Sequence, residues 1–148
     1  MRNILFGTVV LTLYLATACE SPDMKKTVKT EFAPQPIGPY NQAVWAGETL
    51  YLSGQIAIDP TTGELITKNI SDETEQVMEN LGAVLEAAGS SFDKVVKTSI
   101  FLSDMKLFGE VNEVYGEYFH EHAPARETVA VRTLPKNVNV EISMIATK

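Results

Sequence analysis

Pro124-Ala125-Arg126-Glu127-Thr128, followed by Leu134-Pro135-Lys136 and Val140-Glu141-Ile142, reads as two β-strands joined by a short turn. Side chains alternate across a strand, so Arg126, Thr128 and Ala130 share one side, and Val129 and Val131 the other. The last strand alternates as well. Val138, Val140, Ile142 and Met144 line one face, and Glu141 lies opposite with Asn139 and Ser143. If the strands are neighbours, a guanidinium and a carboxylate that no core requires could hold a small carboxylate and handle a proton. The same two groups could instead form a surface ion pair worth about 0–1 kcal/mol. Alternation alone leaves these readings even.

Working outward, Val95 to Leu102 is rich in β-branched residues and predicts a strand. Before it, Ser71 is the expected N-cap of a helix whose first turns carry Asp72, Glu73 and Glu75 at the positive end of the dipole. Val77, Leu81, Val84, Leu85 and Ala88 form one apolar stripe, and Gly89 is a natural stop. Asp104 is expected to cap a second helix with Phe108, Val111, Tyr115, Tyr118 and Phe119 on its apolar face. Nearer the N-terminus, Val28 to Phe32 suits an edge strand. Pro34, Pro36, Gly38 and Pro39 force an extended loop that delivers Tyr40. Ala43 to Ala46, a Gly47-Glu48 turn, and Thr49 to Ile58 predict a hairpin, and Asp59-Pro60-Thr61-Thr62-Gly63 a turn. The order β-β-β-α-β-α-β-β implies an α+β domain, one mixed sheet with two helices on one face.

The N-terminus has a different character. Arg2 is the only charge in the first eighteen residues, and Ile4 to Ala18 is uncharged and ends in Leu15-Ala16-Thr17-Ala18-Cys19. A short positive start, a short apolar stretch and small residues before a cysteine resemble a bacterial lipoprotein signal, with Ala16 where leucine is usual. The expected organisation is a signal peptide over 1–18, a tether over 19–30 and a folded domain over 31–148. Cys19 would be lipidated, placing the domain in the periplasm or cell envelope; plain secretion is the alternative. Stable anchoring would need several acyl chains, since one binds only marginally.

Without the first eighteen of its 148 residues the chain keeps 130, and losing Arg2 moves the net charge from −7 to −8. An acidic domain with no basic run is a poor nucleic-acid binder, because that affinity rests on Lys and Arg. Cys19 is the only cysteine, which excludes internal disulfides and, once it is used as an anchor, thiol catalysis. His120 and His122, two apart near a helix end, point about 200° away from each other and lack the HExxH spacing, so no metal is expected. Glu73, Glu75 and Glu79 suit a solvated helix face. Ser53-Gly54-Gln55 lies in a strand and lacks a nucleophile elbow.

Four blocks remain: Ile37-Gly38-Pro39-Tyr40-Asn41-Gln42-Ala43, Leu50-Tyr51-Leu52-Ser53-Gly54-Gln55-Ile56, Val111-Asn112-Glu113-Val114-Tyr115, and the Arg126 to Ile142 segments. In this order and spacing the chain closely resembles the Rid family of reactive-intermediate deaminases, also called YjgF or L-PSP proteins, from about Ala33 to the C-terminus. The resemblance implies a chorismate-mutase-like α+β fold and homotrimers with clefts between subunits. It implies hydrolysis of enamines and imines, such as 2-aminoacrylate, 2-iminopropanoate and 2-iminobutanoate, to 2-oxo acids and ammonia, without cofactor or metal. Residue by residue, Arg126 stands where the family binds the substrate carboxylate, a bidentate geometry that lysine cannot copy. Glu141 stands for the glutamate that activates water, and the Thr128 backbone would meet the imine nitrogen. Tyr40, Ser53 and Asn112 match residues that wall the pocket.

Three positions depart from that pattern: Thr128 where cysteine is frequent, and Glu127 and Asn41 where serine is usual. Glu127 should face away from Arg126, yet its charge bears on carboxylate binding. Two rival functions stay open, a non-catalytic small-carboxylate-binding or chaperone-like trimer and the ribonuclease activity sometimes attached to the family name.

Overall fold

The computed structural model describes residues 25–148, so the expected signal, Cys19 and the first part of the tether lie outside the described residues. Eight main elements follow in the order β1 (Lys26–Val28), β2 (Ala43–Ala46), β3 (Thr49–Gln55), α1 (Ile70–Ala87), β4 (Val95–Leu102), α2 (Phe108–Glu117), β5 (Ala125–Ala130) and β6 (Val140–Thr147). One six-stranded sheet forms in the order β1-β2-β3-β6-β4-β5. The β4–β5 pair is parallel and every other pair antiparallel. Both helices cover one face, where Leu50, Leu52, Ile100, Leu102, Ile142 and Met144 of the sheet bury against Val77, Met78, Leu81 and Val84 of α1. Tyr115 of α2 reaches the same side and donates from its hydroxyl to Thr98 Oγ1 at 3.1 Å. The expected α+β class and element order hold. Among the described residues no helix is long and apolar enough to cross a membrane.

The structure differs from the sequence reading at several points. β5 and β6 are not neighbours, because β4 lies between them. The chain passes from β4 through α2 into β5, and that crossover lays β5 parallel along β4. The antiparallel β6 therefore takes the other side of β4. The cap of α1 is Asn69, not Ser71: its side chain accepts from Asp72 N at 2.8 Å and donates to the Asp72 carboxylate at 2.7 Å. That reciprocal pair satisfies a free helix-end donor, and Ser71 falls inside the first turn. Asp104 caps a short 3-10 turn, Met105–Leu107, that leads into α2. β3 stops at Gln55, where a register shift after Leu52 breaks its ladder with β6. Gly89 does end α1, at φ +71.

The first strand occupies Lys26–Val28, inside the stretch read as tether, and the residues after it leave the sheet for a reason. Gln42 is fully buried and acts as a hub: its amide donates to the carbonyls of Thr30, Ala33 and Pro34, each at 3.0 Å, and its oxygen accepts from Thr30 N at 2.7 Å. The proline-rich loop is thus bolted to the start of β2, and Tyr40 rides on it. Asn80 does the same on the other flank, tying α1 to the carbonyls of Ile56 and Ile58. Gln42→Ala strands those buried carbonyls and should cost about 1–3 kcal/mol of stability. Urea unfolding at equal protein concentration checks it, as a lower midpoint with an unchanged slope.

Candidate functional site

The residues expected to act together fall into two recesses. In the first, Glu141 projects from β6 over Gly54 of β3, with Tyr40, Ser53, Ile56 and Pro135 around it, in a cleft of about 370 Å³. Ser53 positions this wall, since its hydroxyl donates to the Asn41 carbonyl at 2.6 Å and its N–H to the Gln42 carbonyl at 3.0 Å. Tyr40 folds back, its hydroxyl accepting from Ile37 N at 3.3 Å. Gly54 has a steric role: a Cβ there would lie 2.0 Å from Glu141 Oε1 and 2.9 Å from Cδ. The carboxylate therefore lies against bare backbone, a close approach only glycine permits. Most of the lining is apolar, and burial pushes the Glu141 carboxyl above its ordinary range. Among the described residues, Tyr40 is the only other titratable group lining the cleft.

The second recess lies at the far edge of the sheet, lined by Asn112, Tyr115, Gly116, Phe119, Pro124 and Arg126. The Arg126 guanidinium carbon sits 4.8 Å from the Tyr115 ring centre and 5.7 Å from that of Phe108. Aromatic faces attract such a cation and hold it flat. Burial pushes the Tyr115 phenol up, with Thr98 and Arg126 pulling the other way. Among the described residues Arg126 has no carboxylate within ion-pair distance. Thr128 lies two residues along the same face, and its Oγ1 is buried without a hydrogen-bond partner.

Arg126 and Glu141 are thus not brought together within one chain. Arg126 is in register with Thr98 on the helix-covered face, whereas Glu141 is in register with Phe101 on the bare face. Glu127 faces away from Arg126, as expected from alternation. It points to the bare face, where it pairs with Lys97 and accepts from Ser99, and these two contacts hold its carboxyl below the ordinary range. Sequence reasoning missed Gly54 and Gln42, although both stood in the quoted blocks, and it placed Tyr115 and Phe108 in the core stripe without seeing them flank Arg126. Glu73 does not face solvent as expected: it is fully buried. His120 and His122 are exposed, and among the described residues no group of His, Cys, Asp or Glu could hold a metal.

The raised Glu141 pKa has a definite sign for stability. Well below the ordinary carboxylate pKa both folded and unfolded chains are protonated, so burial of Glu141 carries no penalty. As pH rises, the unfolded chain ionises first and the folded state loses stability until its own raised pKa is passed. Glu141→Gln should therefore be more stable than wild type at about pH 7 and equal to it at about pH 3.5, as read from urea midpoints.

The family model described as endoribonuclease L-PSP matches residues 30–148. A RutC family protein of Pyrococcus horikoshii is 54% identical over 125 residues, which is 84% of this chain and 99% of that protein. The mouse 2-iminobutanoate/2-iminopropanoate deaminase is 46% identical over 123 residues, 83% of this chain and 91% of the relative. Among solved structures, E. coli TdcF with bound serine superposes with a TM-score of 0.79 at 40% identity, over 83% of this chain and 98% of that one. Matches of this extent and identity make the chain a member of the endoribonuclease L-PSP family, the Rid proteins whose four blocks it carries.

Proposed function

We propose that this chain hydrolyses imines and enamines of small 2-amino acids, 2-aminoacrylate and 2-iminopropanoate or 2-iminobutanoate among them, to 2-oxo acids and ammonia. The observation that carries the reading is that each recess holds half of the required chemistry and lacks the other half. Among the described residues, Glu141 is a desolvated carboxylate with no cation beside it, and Arg126 is a guanidinium held flat with no anion beside it. Two copies of the chain, with the Arg126 edge of one against the Glu141 cleft of the next, would complete the site. Such a contact is heterologous and closes as a ring, which suits a homotrimer. The deaminase activity named for the mouse relative and the serine bound by TdcF point to the same class of small amino-acid-derived ligand.

The chemistry follows from the two groups. An enamine first takes a proton at its β-carbon and becomes the imine, which reacts as the protonated iminium. Arg126 grips the substrate carboxylate through two charge-assisted hydrogen bonds, each worth about 1.5–3 kcal/mol, and the backbone at Thr128 meets the nitrogen. Glu141 of the adjoining subunit takes a proton from water as the water oxygen bonds to C2. The product of that step is a tetrahedral 2-amino-2-hydroxy acid. Glu141 then returns the proton to nitrogen and the C2–N bond breaks. The hydroxyl proton leaves as C2=O forms, passing through Glu141 to ammonia, which departs as ammonium. A carboxyl with a raised pKa suits both the taking and the giving. No cofactor or metal enters this scheme. An RNA substrate fits poorly: among the described residues of one chain the cleft has no Lys or Arg in its lining, and the chain is net acidic.

With imines generated by an amino-acid oxidase, Glu141→Gln should lower kcat about 10²–10⁴-fold with KM little changed. Arg126→Lys should act mainly by raising KM. Each variant alone leaves a defect in every shared site, but mixed trimers of Glu141→Gln and Arg126→Ala subunits rebuild about a quarter of them. Recovery of turnover on co-refolding checks the shared site. Wild-type ligand binding without turnover would support the non-catalytic binding reading instead.

We also propose, from residues 1–19 alone, that the domain is exported and anchored through Cys19. Intact mass of the protein from its native membrane should begin at Cys19 and carry acyl chains; an unmodified Met1 start would end that proposal.

A further inference from the structure

Glu73 sits in the first turns of α1, fully buried, and no basic side chain pairs with it among the described residues. Its carboxylate accepts instead from three neutral donors on the strand opposite. Asn139 N lies at 2.6 Å and Val140 N at 3.2 Å from Oε1, and Asn139 Nδ2 at 2.9 Å from Oε2. Asn139 passes the connection on: its Oδ1 accepts from Ser103 Oγ at 3.0 Å and its carbonyl from Ser103 N at 2.9 Å. One carboxylate therefore locks the beginning of β6 to α1 and, through Asn139, to the end of β4.

What this lock holds is the frame of the Glu141 cleft. Immediately before it, Lys136 and Asn137 both take left-handed backbone, at φ 54 and 57, in the turn that carries Pro135 of the cleft wall. Two residues after Asn139 comes Glu141, whose carboxylate lies so close to Gly54 that not even a methyl group fits between them. Three donors converge on the Glu73 oxygens, and a buried polar group of this kind holds only in the one geometry that meets it, so the start of β6 is fixed in height relative to α1. Such a fix two residues from a group whose placement must be accurate has a functional logic, since displacement of about 1 Å can cost 10²-fold in rate. We propose that Glu73 is a positioning residue for Glu141, fixing the height of β6 so that the Glu141 carboxylate stays pressed on Gly54 and held against the apolar cleft wall. Glu73 touches no substrate in this role. The inference rests on the assignment of Glu141 as the water-activating group.

The test compares Glu73→Ala and Glu73→Gln with wild type and Glu141→Gln, at a temperature where circular dichroism shows the variants folded. Glu73→Ala should lower kcat about 10–100-fold while KM, set by Arg126 on the far recess, stays within about threefold. Glu73→Gln keeps an oxygen for the two backbone donors and should retain kcat within about threefold. A folded Glu73→Ala variant with wild-type kcat, or one that changes KM alone, overturns the proposal. Should Glu73→Ala fail to fold, Glu73→Asp carries the same readings, because it keeps the charge and withdraws it by one methylene. If wild type itself hydrolyses no imine, the enzymatic reading falls and the clamp is judged by carboxyl NMR titration of Glu141. Its raised pKa should drop toward the ordinary carboxylate value in the Glu73 variant, and an unchanged titration overturns the positioning role.

Discussion

Because side chains alternate across a strand, inserting β4 between β5 and β6 decides what this chain can do by itself. Arg126 shares its face with Thr98 and the helices, and Glu141 shares the other with Phe101 and Ser99. No rotamer change brings groups on opposite faces of a packed sheet together. A one-residue slip of either strand would unite them but would also turn Ile142 and Met144, or Thr128, to the wrong side. The buried row on β6 therefore enforces the separation. Under the proposed function, a site that needs both groups would borrow one of them from another copy, and the pleat of the sheet would couple assembly to chemistry.

Neither recess is built by regular structure alone. The first depends on a proline-rich loop with no ladder of its own, and the Gln42 amide nitrogen is shared among three of its carbonyls in place of one. The same logic recurs at Asn80, which feeds the carbonyls just beyond the end of β3, and at Glu73, which feeds from the amides just before β6. Each hub is a buried polar side chain satisfied mainly by backbone at the point where a strand begins or stops. Left unpaired, any of them would be more costly than an apolar residue, so they hold only as complete sets. The second recess uses a different device. Tyr115 is anchored by its hydroxyl to Thr98 and offers its ring to Arg126, making the guanidinium flat and rigid before any ligand arrives.

Periodicity carried most of the fold. The stripe from Val77 to Ala88, the β-branched run at Val95–Leu102 and the stop at Gly89 each rest on a rule local to a few residues, and each stands in the structure. What could not be read was pairing. Adjacency of β5 and β6 in sequence suggested adjacency in space, and only the crossover through α2 rules it out. Burial of Glu73 was illegible for a related reason: its partners lie 66 and 67 residues away, and helix position alone favours a solvated acid there. Arg126 and Glu141 stood out by strand alternation, and the resemblance added Thr128, Tyr40, Ser53 and Asn112 without saying how the set divides. Their sorting into two recesses is a property of the folded sheet.

The departures from the family pattern can be weighed by geometry. Glu127 adds a charge one residue from Arg126, yet the strand turns it to the bare face, and Lys97 and Ser99 bind it there. Paired with Lys97, it acts at a distance as part of a neutral pair rather than as a bare charge. Thr128 is the less neutral change. Its hydroxyl is buried on the Arg126 face with no partner, and an unpaired buried hydroxyl costs folding free energy unless something else meets it. A cysteine thiol, a weak donor and small hydrophobe, would cost little at the same place.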